Sequence, residues 1–387
     1  MSTTKITIIF IILIGMLLAV FVPYQNPEWG RIDLLPYWSA SKTMLSGGNP
    51  YDPNDLYSQQ SAIRSDLKRI SDVDPAWGPP WTLLLLSPLT WLDFEIAYRL
   101  WIFLNVIFVA LALYLLWDMS FKPPDGKGLI LTFGVGFLFG NTIRLIELGQ
   151  YTSIMLIALV LYIWLIDREH YVLAGAALLF LMIKPQLTYL AIAVIIIWAF
   201  RNRNWKVFVG FIGSGLSLLV LLWLVFPNWL SEYFHLIISI PNFRIYYTTL
   251  GSFAESIFGF SALKYIGLLL IPLAYPLSKY VGRAGRLTTL NLALLISIPL
   301  APYGFAFDHI LLLPAVVQLV SWIWNKELPV SFTWGIGIAI VISYGLVYFL
   351  MNFQSGLPYY WLVFPTIGLA IIYLLAWMKK TSVMMKS

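Results

Sequence analysis

Long apolar runs alternate with short polar breaks along this chain of 387 residues. Twelve apolar segments are predicted to be helical spans: 5–22, 94–117, 128–141, 149–166, 171–184, 186–200, 207–226, 262–277, 287–300, 309–324, 330–350 and 359–378. Several are only 14–16 residues long, about 21–24 Å of helix against a hydrocarbon core of ~30 Å. Such segments are expected to fall short of a full crossing, to tilt, or to begin deep in a protein-lined cavity. The first run follows a single lysine and lacks a small-residue cleavage site, so it is read as a retained signal anchor. The expected fold is an all-α polytopic membrane protein, one transmembrane domain over 1–387 with no internal repeat.

Charge fixes the expected orientation. With the N-terminus cytoplasmic, the inner loops hold 14 basic and 5 acidic residues and the outer face 10 basic and 13 acidic, in agreement with the overall charge of +6. That bias obeys the positive-inside rule and puts both termini in the cytoplasm. Counting 81–91 as a span would invert every later loop. Pro80–Trp91 is therefore read as a helix lying on the outer surface, interrupted at Pro88. Two large extracytoplasmic segments result, 23–93 and 227–261.

Composition agrees with this pattern and narrows the chemistry. The chain is 60% apolar, 17% aromatic and only 11% charged, against roughly 25% charged in soluble domains. The pI near 9.2 reflects basic inner loops and does not point to nucleic acid. There is no cysteine, so disulfide and thiolate chemistry are excluded.

The first outer loop opens with Asp33, about ten residues past the first span. Asp33, Tyr37 and Ala40 fall at i, i+4 and i+7, one face of a helix. Pro36 is tolerated only in a first turn, so that helix starts near Asp33, and Gly47-Gly48 ends it. At a helix N-terminus the dipole favours the ionised carboxylate, which could take a proton from a sugar hydroxyl. The alternative role is a helix cap. Asn49-Pro50-Tyr51-Asp52-Pro53 reads as a turn. A second helix, about Pro53–Ile70, would set Arg64 and Lys68 at i and i+4, either for an anionic headgroup or as a solvated face. Trp77-Gly78-Pro79-Pro80-Trp81 is a rigid aromatic turn, suited to interfacial anchoring or to stacking on a sugar.

Asp33-x3-Tyr37-x2-Ala40, followed by Gly48-Asn49-Pro50-Tyr51-Asp52 and then Pro79-Pro80, resembles the opening of glycosyltransferase family 87. Gly149-Gln150 opening a helix, with Lys184-Pro185 about 35 residues on, resembles that family's central pattern. Pro302 and Phe307-Asp308-His309 running into Leu311–Pro314 resemble its late outer-loop pattern. The likeness spans about 33–314. Two departures stand out: Trp77-Gly78 before the double proline and Phe307 before the late aspartate, where the family commonly has tyrosine. The resemblance implies a membrane fold of GT-C type and a reaction like that of polyprenyl-phosphate-mannose-dependent mannosyltransferases, with Asp33 as general base. Tyr37, Asn49, Tyr51 and Trp77 would contact acceptor or sugar.

Charges within apolar segments are candidates for function. Arg144 and Glu147 are expected at an outer junction between short helices, just before Gly149-Gln150, where they could also pair with each other. Lys184 precedes a helix-breaking proline at membrane depth, where it suits a phosphate or snorkels to the headgroups. Asp308 and His309 stand at the outer end of a span, and the histidine could donate to a leaving phosphate or a sugar hydroxyl. Lys184, Arg144, His309, Asp308, Gln150 and Glu147 are thus the expected donor contacts. No metal site is written in the sequence. A magnesium or manganese ion held by Asp33, Glu147, Asp308 and His309 is conceivable but not favoured, and no cofactor is expected. No nucleotide-binding motif occurs, so a lipid-linked sugar donor is preferred.

The expected function is an inverting glycosyltransferase of the cytoplasmic membrane, active on its extracytoplasmic side. Its partners would be a polyprenyl-phosphate sugar, a lipid or glycan acceptor, and membrane lipids. The alternative is a transporter or flippase of a lipid-linked sugar, which should show paired repeats with matching broken helices. A structural scaffold would explain neither Asp33 nor Lys184.

Overall fold

The computed structural model describes residues 13–21, 33–239, 247–352 and 359–384. Among these there are helices and turns and no strand. In chain order the helices are α1 (described over 13–21), α2 (Leu34–Leu45), α3 (Pro53–Ser61), α4 (Trp81–Leu86), α5 (Phe94–Ser120), α6 (Gly126–Phe137), α7 (Gly140–Leu148), α8 (Thr152–Asp167) and α9 (Tyr171–Leu181). They continue as α10 (Pro185–Arg201), α11 (Trp205–Val225), α12 (Trp229–Ser239), α13 (Leu250–Phe258), α14 (Ala274–Ala284), α15 (Arg286–Ser297), α16 (Leu313–Trp324), α17 (Val330–Asn352) and α18 (Val363–Met384). Short 3-10 stretches lead into α14, α16 and α18.

Six helical stretches among the described residues are long and apolar enough to cross a membrane, beginning at Phe94, Trp205, Ser261, Ala306, Val330 and Tyr360. The pair α6 and α7, bent by 62°, makes a seventh if counted as one broken span. The protein is a helical multi-pass membrane protein. Four of the remaining expected spans are helical but short, as α8, α9, α10 and α15. The first expected span, 5–22, lies largely outside the described residues, as do the start of the first polar segment and part of the second.

Two sequence expectations are corrected. The helix expected over Pro53–Ile70 ends at Ser61. Arg64 leaves the helix to bond Asp66 at 2.9 Å and Asp74 at 2.6 Å, while the Gln60 amide donates to the Asp74 carbonyl at 2.7 Å. Arg64 and Lys68 therefore share no helix face. The span expected over 128–141 is broken after Phe137, and α7 runs on to Leu148, so Arg144 and Glu147 lie within a helix rather than in a junction. Asn141 donates to the Ala306 carbonyl at 2.5 Å, a bond that holds the new direction.

The contacts divide the chain into two units. The first comprises Met1–Phe108, Ile146–Tyr151 and Gly210–Arg244; the second comprises Val109–Leu145, Thr152–Val209 and Ile245–Ser387. In the first unit α2 is nearly all interior, burying Leu34, Leu35, Tyr37, Trp38, Ala40 and Met44. It packs on α3, on α4 and on the 3-10 turn Ser87–Trp91 that follows. The helix expected over Pro80–Trp91 is thus present and changes to 3-10 geometry at Ser87-Pro88. Trp38 donates to the Leu89 carbonyl at 3.1 Å and Ser41 to the Leu83 carbonyl at 3.0 Å. Arg99 of α5 donates to the Ala19 and Val20 carbonyls of α1.

In the second unit α8 and α9 form an antiparallel pair and α10 lies against α14 and α15. Asn291, Gln318, Thr288 and Tyr373 form a wholly buried polar network across α15, α16 and α18. Each bond of this kind contributes only about 0.6 kcal/mol in a membrane protein. The tightest backbone approach is at Gly267, where an added Cβ would sit 2.0 Å from the Leu300 carbonyl oxygen. No rotamer relieves a backbone clash. Gly267→Ala is expected to cost roughly 3 kcal/mol or more, read as an early loss of the monodisperse peak on heating in detergent.

Candidate active site

In the first unit, α2 begins at Asp33, as expected. The Asp33 amide donates to the carbonyl of Leu148, the last residue of α7, at 3.1 Å. The Asp33 side chain makes no capping bond to its own helix, so the cap reading fails. The turn after α7 is fixed by three further contacts. Tyr98 donates to the Glu147 carbonyl at 3.0 Å and Trp101 to the Gly149 carbonyl at 2.7 Å. Gly149 has φ +64°, and a Cβ there would lie 2.8 Å from the Tyr98 ring, so this residue must be glycine. Gln150 and Tyr151 follow, both buried.

Tyr37 sits one helical turn beyond Asp33. Its hydroxyl lies 2.6 Å from the Tyr151 hydroxyl and accepts from the Gly78 amide at 3.0 Å. Burial is the main reason its pKa is pushed far above the ordinary tyrosine range, and the charge of Asp33 adds to the effect. Tyr37 is therefore neutral at any physiological pH. The Asn49 amide accepts from the Tyr51 backbone at 3.0 Å and donates to Glu232 of α12 at 2.8 Å. The Tyr51 ring packs between Tyr233 and Phe226 at 5.7 and 6.4 Å. Trp77 is 41% exposed, and its carbonyl accepts from Tyr233 at 3.3 Å. Asp33, Tyr37, Asn49, Tyr51, Trp77, Glu147 and Gln150 all belong to this unit.

The second unit holds Lys184, Asp308, His309 and Arg144. Lys184 stands just before Pro185, at the break between α9 and α10. Its ammonium donates to Asp308 Oδ1 at 2.6 Å and lies 4.7 Å from the Phe307 ring centre. Asp308 also accepts from Thr152 at 2.8 Å and from the Phe305 amide at 3.0 Å. Lysine and aspartate thus form a buried neutral pair, with Lys184 9% and Asp308 1% exposed. His309 is held at both nitrogens, Nε2 by Thr248 at 3.2 Å and Nδ1 by Thr366 at 2.7 Å. Thr248 gives its own proton to the Gly304 carbonyl, so it accepts from Nε2–H. In the neutral ring Nδ1 then accepts from Thr366, an assignment made from the bonding network. Thr366 also lines a small, mainly apolar crevice with Phe139, Asn141, Leu312, Tyr344 and Leu369. Arg144 is half-buried on α7.

Sequence reasoning missed Tyr151, Glu232 and Tyr233 in the first unit, and Thr152, Thr248 and Thr366 in the second. Tyr151 follows the Gly149-Gln150 pair that was noticed, and Glu232 lies in the aromatic second polar segment. Nothing in the sequence marks Thr366, which reaches His309 from a helix 57 residues away. Among the described residues no group of three or more His, Cys, Asp or Glu is placed to hold a metal ion.

The buried pair gives a direct prediction. Lys184→Met strands a carboxylate at 1% exposure and is expected to cost about 3–5 kcal/mol. Adding Asp308→Asn, which can still accept from Phe305, should recover most of that loss in thermal unfolding of the purified protein.

No curated protein and no solved structure matches the chain. A family model does, that of glycosyltransferase family 87, over residues 76–304. Trp77, Arg144, Glu147, Gln150 and Lys184 fall inside the matched segment; Asp33, Tyr37, Asn49 and Tyr51 precede it, and Asp308 and His309 follow it. The match covers more than half of the chain, which therefore belongs to glycosyltransferase family 87 and is a membrane glycosyltransferase.

Proposed function

We propose that the protein transfers a sugar, most simply mannose, from a polyprenyl-phosphate donor to an acceptor hydroxyl on the extracytoplasmic side, within a GT-C-type fold. Asp33 takes the proton of the acceptor hydroxyl, and that oxygen attacks the anomeric carbon. The bond from the anomeric carbon to the phosphate oxygen breaks, its electron pair leaves with polyprenyl phosphate, and the configuration inverts. One carboxylate suffices, because the leaving phosphate is a weak base and needs no second acid, unlike the leaving oxygen in glycoside hydrolysis.

The observation that carries this reading is the state of Asp33. Asp33 stands at the start of α2 without capping that helix, which supports a role other than capping. Its backbone is tied to the end of α7, and Tyr37 is fixed one turn away by two hydrogen bonds. Tyr37, Asn49, Tyr51 and Trp77 are the proposed acceptor or sugar contacts. Lys184, Arg144, His309, Asp308, Gln150 and Glu147 are the proposed donor contacts. Lys184 and His309 already have protein partners, so binding of a phosphate there would exchange those bonds rather than add to them. No cofactor is proposed.

The test is turnover of polyprenyl-phosphate-mannose with a mixed glycolipid extract in nanodiscs, followed by mass spectrometry. Asp33→Asn is expected to fold and insert normally and to lose about 10²–10⁴-fold in transfer, the range for a general base. Equal turnover of variant and wild type would remove Asp33 from the reaction.

A further inference from the structure

We infer that Tyr51, Trp77 and Glu232 form a sugar-binding subsite in the first unit, which takes a pyranose by two neighbouring hydroxyl groups, with α12 as its cover. Calling that pyranose the acceptor rests on the transferase reading above; the subsite itself does not.

The first observation is the Tyr51 hydroxyl. Tyr51 is 6% exposed, and its hydroxyl has no hydrogen-bond partner among the described residues. A buried hydroxyl left unsatisfied is costly and calls for an explanation. Burial pushes its pKa far above the ordinary range, so it stays a neutral donor and acceptor. The second observation is a carboxylate tied to the same turn through Asn49. Glu232 is half-buried and accepts from Asn49 through Oε2. Asn49 is locked in turn by Asp55, which accepts from its amide at 2.7 Å, and by the Tyr51 amide. One asparagine thereby sets both the Tyr51 backbone and the Glu232 carboxylate. The third observation is aromatic surface. Trp77 is part-exposed, is joined to α12 through the Tyr233 hydroxyl, and precedes Gly78, whose amide holds Tyr37.

These groups match the chemistry of a pyranose. A sugar ring offers an apolar C–H face to an aromatic ring and a rim of hydroxyl donors to acceptors. Trp and Tyr combine a large apolar face with a polar tip. An ionised carboxylate is acceptor-only with two oxygens, so it can take two adjacent hydroxyls in charge-assisted bonds. A phosphate would be repelled by Glu232, which makes an uncharged polyol the better ligand. α12 buries none of its own residues within the protein, and Glu232 and Tyr233 join it to Asn49, Tyr51 and Trp77. Admission of the sugar lifts α12, and the bound hydroxyls then satisfy Tyr51.

The experiment is saturation-transfer NMR on the full-length protein in nanodiscs. The probes are methyl α-mannopyranoside, methyl β-glucopyranoside, methyl β-galactopyranoside and, as the control without a diol, 2-methoxytetrahydropyran. At least one hexoside should saturate the wild type, and the control should not. Glu232→Gln keeps an oxygen for Asn49 but loses the charge. It should weaken that hexoside about tenfold with an unchanged melting temperature, whereas a role confined to docking α12 predicts no change. Tyr51→Phe should raise the melting temperature and weaken binding in the same protein, a combination that a purely structural tyrosine would not give. Saturation by none of the hexosides, or unchanged affinity in Glu232→Gln, would overturn the subsite even if Asp33-dependent transfer persists. Binding lost in Glu232→Gln but kept in Asp33→Asn would support the subsite whatever the outcome for the reaction.

Discussion

Backbone that leaves a helix in an apolar protein must find its hydrogen bonds within the protein, because lipid supplies none. The breaks in this chain obey that constraint, and the candidate site residues gather at them. At the end of α7 the carbonyls of Glu147, Leu148 and Gly149 are taken by Tyr98, the Asp33 amide and Trp101. At the break between α9 and α10 the Leu181 carbonyl accepts from Thr188 and the Leu187 carbonyl from Ser297. Before α16 the Gly304 carbonyl accepts from Thr248 and the Ala306 carbonyl from Asn141. Asp33, Lys184, Asp308 and His309 stand at or next to these breaks. The groups that satisfy the broken backbone also place those side chains.

Electrostatics takes a different form in each unit. In the second, the ionised groups at the break cancel: Lys184 and Asp308 neutralise each other, and Thr152 and the Phe305 amide complete the carboxylate's bonding. A buried pair of this kind adds little net stability, but losing either partner is costly. In the first unit, tyrosines stay neutral through burial, and Asp33 stands one turn from one of them. Neutral hydroxyls around a carboxylate suit the recognition of sugars, whose own groups are neutral donors and acceptors.

Much of the candidate site was legible because its residues break local rules. Asp33 before Pro36, Gly149 after a short apolar run and Lys184 before Pro185 each conflict with a continuous apolar helix, and each proves to stand at a helix end. Arg64 misled because its i, i+4 spacing with Lys68 looks helical, whereas Asp66 and Asp74 pull it out of the helix. The break between α6 and α7 was missed because an apolar run rich in glycine reads as one span; the bond from Asn141 to Ala306 comes from 165 residues away.

The sequence by itself determined that this is a helical membrane protein, where most helices lie, and that Asp33 opens one of them. Those properties follow from apolar run length, proline and glycine, which act locally on the backbone. Tertiary structure decided what each charged or polar side chain touches: Lys184 meets Asp308 across 124 residues, and Asn49 meets Glu232 across 183. Spacing along the chain carries no information about such pairs, because they are brought together by the packing of helices whose sequences are almost uniformly apolar.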